Sequence, residues 1–481
     1  MGGETRAAKK GGTFVPYTHY DRLTALDSSF LDLESPGVHM HVASVGILDP
    51  GRLARDDGSI DFDEILRVTE AGLFRAPRFR QKLATVPLTG APVWVDDPHF
   101  NVLYHVRHTA LPIPGDERRL KRLVGRIVSQ KLDRSKPMWE MWFVEGLEGG
   151  RIAVISKIHH CLIDGISGVD LTSAFMGPDP DHRPDLVDHR WVPRPAPGAL
   201  ELVSHEIGRR VALPARLARS LSRSLRNPAS AVRGAGHTAS GFGHGLVDAL
   251  TPASETSLNV PIGPHRRFDW TRFDMGLVKE VKTKLGATVN DVVLGCVAGA
   301  TRHFLKSRGE DTSDLDFRAF VPVSTRTAEE RGKLGNRVAM ISVPLPVSEP
   351  EPRRRMEEIV DRTRSLKGSG RAEGTELVED LSDWTSRSLL TAMSRLAASR
   401  RSFNMVVTNV PGPPFPVYLN GAKLLESYPL VPLFENQTLG VALFSYDKSL
   451  FWGFNADWDA VPDLHYFVQA IDREFETLRK L

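Results

Sequence analysis

Cysteine is almost absent from this chain: Cys161 and Cys296 are the only two in 481 residues, so neither a disulfide framework nor a cysteine-rich metal site can be assembled. Such scarcity fits a reducing, cytoplasmic setting. Long apolar runs are missing as well. No stretch approaches the roughly 18 consecutive apolar residues of a spanning helix, so any membrane contact has to be peripheral. Residues 1–17 carry charge and glycine without the apolar core of a signal peptide and read as a flexible tail. Charge of one sign is lacking too: 62 basic against 59 acidic side chains leave a net +3, which gives no footing for a nucleic-acid partner. No Gly-x-Ser-x-Gly elbow occurs, which argues against an α/β-hydrolase. Gly368-Ser369-Gly370 follows a helix in a polar run instead of linking a strand to a helix, which argues against a phosphate loop.

What is present has the composition of a globular protein, 41% hydrophobic and 25% charged, in a chain too long for one core. The expected fold class is α/β in two domains. The first, residues 18–176, has strand-like His39–Leu48 and Arg151–Ile158 and a helical Glu117–Leu132. A linker over 177–264 opens with a proline-rich stretch and closes on Pro261-Ile262-Gly263-Pro264, with a helical segment between. The second domain, 265–481, mixes helices at Leu277–Leu285, Val289–Leu305 and Leu377–Ala398 with five strands. These are Phe317–Val323, Val338–Val347, Phe403–Thr408, Leu439–Phe444 and Leu450–Asn455.

The strand Arg151–Ile158 runs into His159-His160-Cys161-Leu162-Ile163-Asp164-Gly165, and a turn at Asp164-Gly165 opens a helix carrying Ile166, Val169 and Phe175. Adjacent strand residues point to opposite faces, so one imidazole should face a site and the other the domain's own packing. A histidine near neutral pKa can take the proton of an alcohol that attacks a thioester, a role worth about 10² to 10⁴ in rate. The tetrahedral oxyanion would need hydrogen-bond donors nearby, and no acyl-enzyme is required. Two other readings of the pair stand beside this one: satisfied core histidines, and metal ligands, which diverging neighbours suit poorly. Asp164 can equally be the N-cap of the following helix. Cys161 reads as a small buried residue, and Trp139 as a core anchor.

The seven residues match the HHxxxDG signature of the CoA-dependent acyltransferase superfamily. Further motifs narrow the resemblance to the wax ester synthase/diacylglycerol acyltransferase family. They are Leu23 to Leu31 with Glu34-Ser35-Pro36 and Met40-His41-Val42, then Leu132-Asp133-Arg134-Ser135-Lys136-Pro137-Met138-Trp139-Glu140, where Met138 replaces the usual leucine. In the second half they are Thr288-Val289-Asn290-Asp291-Val292, Val321 to Arg326, Thr408-Asn409-Val410-Pro411-Gly412-Pro413 and Asp457 to Asp463. The resemblance implies two chloramphenicol-acetyltransferase-like domains with an active-site tunnel at their interface, His160 as general base and His159 as its support. It implies acyl-CoA as co-substrate, no cofactor and no metal, and diacylglycerol or a long-chain alcohol as acceptor. Asp164 would hold its loop, with Arg326 as candidate partner, and Gly165, Asn290, Asp291, Arg326 and Asn409 are candidates for substrate binding. Asn290 and Asp291 also read as a helix start, and Asn409 with Pro411-Gly412-Pro413 as a turn after a strand.

Within the linker, Leu213, Leu217, Leu221 and Leu225 form one stripe and Arg216, Arg219, Arg223 and Arg226 the opposite one. Such a helix can lie on the inner face of a membrane or on a lipid droplet, or pack its leucines on a domain. Two rival functions share the sequence features: a superfamily acyltransferase with a non-glycerolipid acceptor, and a catalytically silent lipid-binding protein.

Overall fold

The computed structural model describes residues 20–163, 175–181, 191–209, 211, 252–324, 338–368 and 402–481. The first half supplies β1 (Asp21–Arg22), α1 (Ala25–Leu33), β2 (His41–Asp49), α2 (Phe62–Arg75), β3 (Gln81–Thr85), β4 (Pro92–Asp96), α3 (Val102–His105), β5 (Val106–Ala110), α4 (Glu117–Val128), β6 (Trp139–Glu145), β7 (Ile152–His159) and α5 (His160–Ile163). The second supplies β8 (Arg266–Asp274), α6 (Met275–Lys284), α7 (Val289–Ser307), β9 (Phe317–Ser324), β10 (Val338–Leu345), α8 (Pro352–Gly368), β11 (Met405–Pro411), β12 (Tyr418–Leu419), β13 (Ala422–Leu430), β14 (Leu439–Tyr446), β15 (Ser449–Asp457) and α9 (Leu464–Lys480). The expected strands form close to their expected limits. The helix expected over Leu377–Ala398, the one after Asp164-Gly165, the Leu213 to Arg226 stripe and the 1–17 tail lie outside the described residues.

Two six-stranded sheets carry the architecture, ordered β12-β13-β2-β7-β6-β5 and β10-β9-β11-β14-β15-β8, with a small sheet β1-β4-β3 beside them. In β7 every residue but Ser156 is buried, as suits a strand at the centre of a covered sheet. Each large sheet has its own core. One gathers Val45, Phe79, Trp139, Phe143 and Ile155; the other gathers Val297, Phe304, Phe317, Trp452 and Phe467.

Strand β13 reaches across the expected division at residue 265. It pairs antiparallel with β2, Tyr428 opposite Val45, so a segment of the second half completes the first sheet. Its short apolar run gives no sign of which sheet it will join, because any exposed strand edge offers the same hydrogen bonds. Tyr446 on β14 pins this arm: its hydroxyl donates to Leu424 O at 2.8 Å and accepts Val417 N–H at 3.0 Å.

Helix α4 stops at Val128, short of the expected Leu132, because its last carbonyls are taken by buried cations and donors. Lys157, 0% exposed, donates to Ile127 O at 3.1 Å and Gln130 O at 2.9 Å, and His41 Nε2 donates to Val128 O at 2.9 Å. Positive charge at a helix C-terminus is favourable, and the arrangement ties α4 to β2 and β7.

Where the two sheets meet, β15 passes β13 so closely that a Cβ on Gly453 would lie 1.8 Å from Pro429 O. Gly453→Ala should lower the apparent thermal midpoint by several degrees, from an overpacking cost of about 1–3 kcal/mol. Gly198→Ala, where an added methyl meets nothing within 4 Å, should leave it in place. Scanning fluorimetry reads both.

Candidate active site

Strand β7 ends on His159 and the chain turns into α5 at His160. Their main chains bond to opposite neighbours: His159 N–H donates to Met138 O at 3.0 Å, and His160 N–H to Met40 O at 2.8 Å. His159 is buried, whereas His160 is half-buried with its ring centroid 4.0 Å from that of Phe30 on α1.

The two ring nitrogens of His159 have different neighbours. Nδ1 accepts Cys161 N–H at 3.2 Å and lies 3.0 Å from Cys161 Sγ. Burial, reinforced by the Asp27 carboxylate, pushes the Cys161 thiol far above its usual range, so it keeps its proton. A ring nitrogen that accepts the Cys161 amide carries no proton itself, which places the proton on Nε2. Nε2 faces Glu34 Oε1 at 3.4 Å, within ion-pair reach but loose for a hydrogen bond. Glu34 and its partner Arg134 were not among the candidate residues; both stood inside the quoted motifs, 100 positions apart, with nothing in the sequence to say they meet.

The second-half motifs divide. Asn290 and Asn409 come together, Asn409 Nδ2 donating to Asn290 Oδ1 at 2.8 Å. Asn409 Oδ1 is buried with no hydrogen-bond partner among the described residues. Asp291 instead builds the helix start: it accepts Thr288 N–H at 2.8 Å while Thr288 Oγ1 accepts Asp291 N–H, a capping box, and Thr363 Oγ1 donates to its other oxygen at 2.8 Å. Trp139 is a core anchor, with Nε1–H donating to Phe79 O at 2.7 Å and its ring stacked on His105. Asp164, Gly165 and Arg326 lie outside the described residues.

A small cavity of ≈ 10 Å³ at the seam between the halves is lined by His39, His41, Val128, Arg266, Leu430 and Asn455. Burial, then the Arg266 charge, lowers His39 to about 4. Burial, then Lys157, holds His41 well below the usual histidine range. Arg266 itself is buried, donating from Nη1 to Gly263 O at 2.6 Å and bonding Gly37 O from Nη2, which clasps the Pro36–Gly37 turn to the second half.

Residues 23–293 match the wax ester synthase/diacylglycerol acyltransferase catalytic domain and 334–479 its C-terminal domain. The chain belongs to that family. It is 31% identical over 456 residues, 94% of each chain, to tgs1 of Mycobacterium tuberculosis, named a probable diacylglycerol O-acyltransferase. The solved wax ester synthase/diacylglycerol acyltransferase of Marinobacter aquaeolei VT8 superposes with a TM-score of 0.67 at 25% identity, covering 96% of this chain and all of that one. At the level of fold alone, the starter condensation domain of rhizomide synthetase, solved with C8-CoA, superposes with a TM-score of 0.55 at 13% identity over 96% of this chain and 94% of that one. This acyltransferase thus has the two-domain, mixed α/β architecture expected from its motifs. Among its described helices none is long and apolar enough to cross a membrane.

Two outcomes follow from the buried groups. His39 and His41 are neutral when folded but protonate in the unfolded chain below about 6.5, so their stability contribution is full above that pH and is lost as pH falls. For His39 the loss is about 1.4 kcal/mol per pH unit between about 6.5 and about 4. His39→Asn should therefore flatten the fall of the urea midpoint with acidification. Cys161 and Cys296, both buried with raised thiol pKa, should escape alkylation by iodoacetamide at neutral pH until denaturant is added, as peptide mass spectrometry would show.

Proposed function

We propose that the protein transfers a fatty acyl group from CoA to the hydroxyl of diacylglycerol, and to a long-chain alcohol where one is offered, with His160 as general base. The observation that carries the assignment is the division between the histidines. His159 is buried with Nδ1 bonded to Cys161 and Nε2 turned to Glu34, so the proton-accepting role passes to the more exposed His160. The acceptor hydroxyl gives its proton to His160 as its oxygen attacks the thioester carbonyl. The oxyanion collapses, the carbon–sulfur bond breaks, and the CoA thiolate recovers the proton from the imidazolium. Attack is direct, and no acyl-enzyme forms.

The acceptor and the donor rest on the relatives, one named a diacylglycerol O-acyltransferase and a fold neighbour solved with C8-CoA. Asp164 and Gly165 would shape the loop after His160, with Arg326 as the partner of Asp164. Asn409, paired to Asn290, offers a buried carbonyl oxygen suited to a donor on the substrate, such as a hydroxyl or an amide. A lipid acceptor requires access to a lipid phase. The outward residues Leu200, Ile207 and Val211 are 86%, 56% and 73% exposed while Leu202 on the same helical stretch is buried, which supports peripheral contact with a membrane or lipid droplet.

Labelled palmitoyl-CoA supplied with diacylglycerol or hexadecanol tests the reading. His160→Ala should lose about 10² to 10⁴ in kcat on either acceptor while keeping the wild-type circular dichroism. Near-normal turnover by that variant would remove His160 from the chemistry.

A further inference from the structure

The strongest unassigned group beside the histidines is the Glu34 carboxylate. It caps the end of α1, its side chain only 7% exposed. Burying a carboxylate is costly unless its lone pairs are matched, and here four nitrogens from three residues converge on it. Oε2 accepts Arg134 Nη2 at 2.6 Å and Nε at 3.1 Å, a forked charge-assisted pair. Arg134 Nη2 also donates to Leu31 O at 2.7 Å, fixing the guanidinium against α1. Oε1 accepts Met40 N–H at 3.1 Å and stands 3.4 Å from His159 Nε2. Burial alone would raise its pKa; the contacts with His159 and then Arg134 outweigh it and hold the group at about 2, so it is charged throughout the working range.

Two lines lead from this carboxylate to the catalytic pair. One is direct, onto the Nε2–H of His159. The other runs through a single peptide: Met40 N–H bonds Glu34, and the carbonyl of the same Met40 accepts His160 N–H at 2.8 Å. We infer that Glu34, braced by Arg134, is the positioning residue of the active site, setting the His159 tautomer and, through Met40, the point at which His160 leaves the sheet. This rests on the reading of His160 as base, and it deepens that reading by naming what aims it. A base misplaced by a fraction of an ångström loses rate without losing substrate affinity, so the signature lies in kcat.

The test pairs kinetics with a tautomer measurement that does not depend on turnover. Glu34→Gln keeps the shape and an acceptor for Met40 N–H but removes the charge. It should cut kcat roughly 10- to 100-fold with KM for palmitoyl-CoA within about twofold of wild type. Arg134→Lys, which keeps a charge without the fork, should recover part of the rate that Arg134→Met loses. Long-range ¹H–¹⁵N spectra of histidine-labelled protein, assigned with His159→Asn, should show His159 protonated on Nε2 in the wild type and in His160→Ala. In Glu34→Gln the same signal should move toward a mixture of tautomers. Wild-type kcat in Glu34→Gln, or a His159 signal that this variant does not move, overturns the proposal. If Glu34→Gln does not fold, a wild-type His159 protonated on Nδ1 overturns it instead. An active His160→Ala with the His159 shift still present in Glu34→Gln would refute the base while sustaining the tautomer control.

Discussion

The antiparallel pairing of β2 with β7 is the constraint on which the site depends. It sets His41 opposite His159 and joins residues more than a hundred positions apart. From that register follow the bond of His160 N–H to Met40 O and the approach of Glu34 to His159. A slip of one residue would exchange the two faces of the strand and carry His159 and Lys157 together to the opposite face of the sheet. The pairing is held at both edges, by β6 beyond β7 and by β13 beyond β2. Because β13 belongs to the second half, the register of β2 and β7 is tied to the docking of the two halves.

Buried charge marks the same region. Lys157 lies against Glu140 at 3.5 Å, Arg134 grips Glu34, and Arg266 binds the carbonyls of Gly263 and Gly37 with Asp457 3.8 Å away. An apolar seam of the same volume would be as stable or more so, since ion pairs recover only part of their desolvation. What such pairs supply is direction. Each fixes a carbonyl or a carboxylate to within hydrogen-bond tolerance, and the Arg134–Glu34 pair does so beside His159. Their cost is an acid-sensitive seam, with His39 and His41 held neutral beside two cations.

Neighbouring histidines with identical side chains thus come to lie in different surroundings. His159 spends one nitrogen on Cys161 and turns the other to a carboxylate, which makes it a strut; His160 sits against Phe30, partly open. The same separation by environment runs through the asparagine-aspartate motif. Asp291 faces back to Thr288 and Thr363 and closes a helix cap, while Asn290, one residue earlier in the same helix, meets Asn409 on β11.

By itself the sequence determined the elements and the chemistry they can perform. Alternation marked β2 and β7, helical spacing marked α4 and α7, and the histidine motif with its companion motifs identified the family and singled out His160 as the candidate base. These are properties of local spacing and residue type, which a linear reading preserves. Tertiary structure decided the partners. That β13 would complete the first sheet, that Lys157 and His41 would end α4 at Val128, and that Glu34 would meet both Arg134 and His159 depended on contacts across 30 to 387 positions. A strand edge, a helix end or a carboxylate accepts many partners of the same kind, so only the packing of the whole chain selects one.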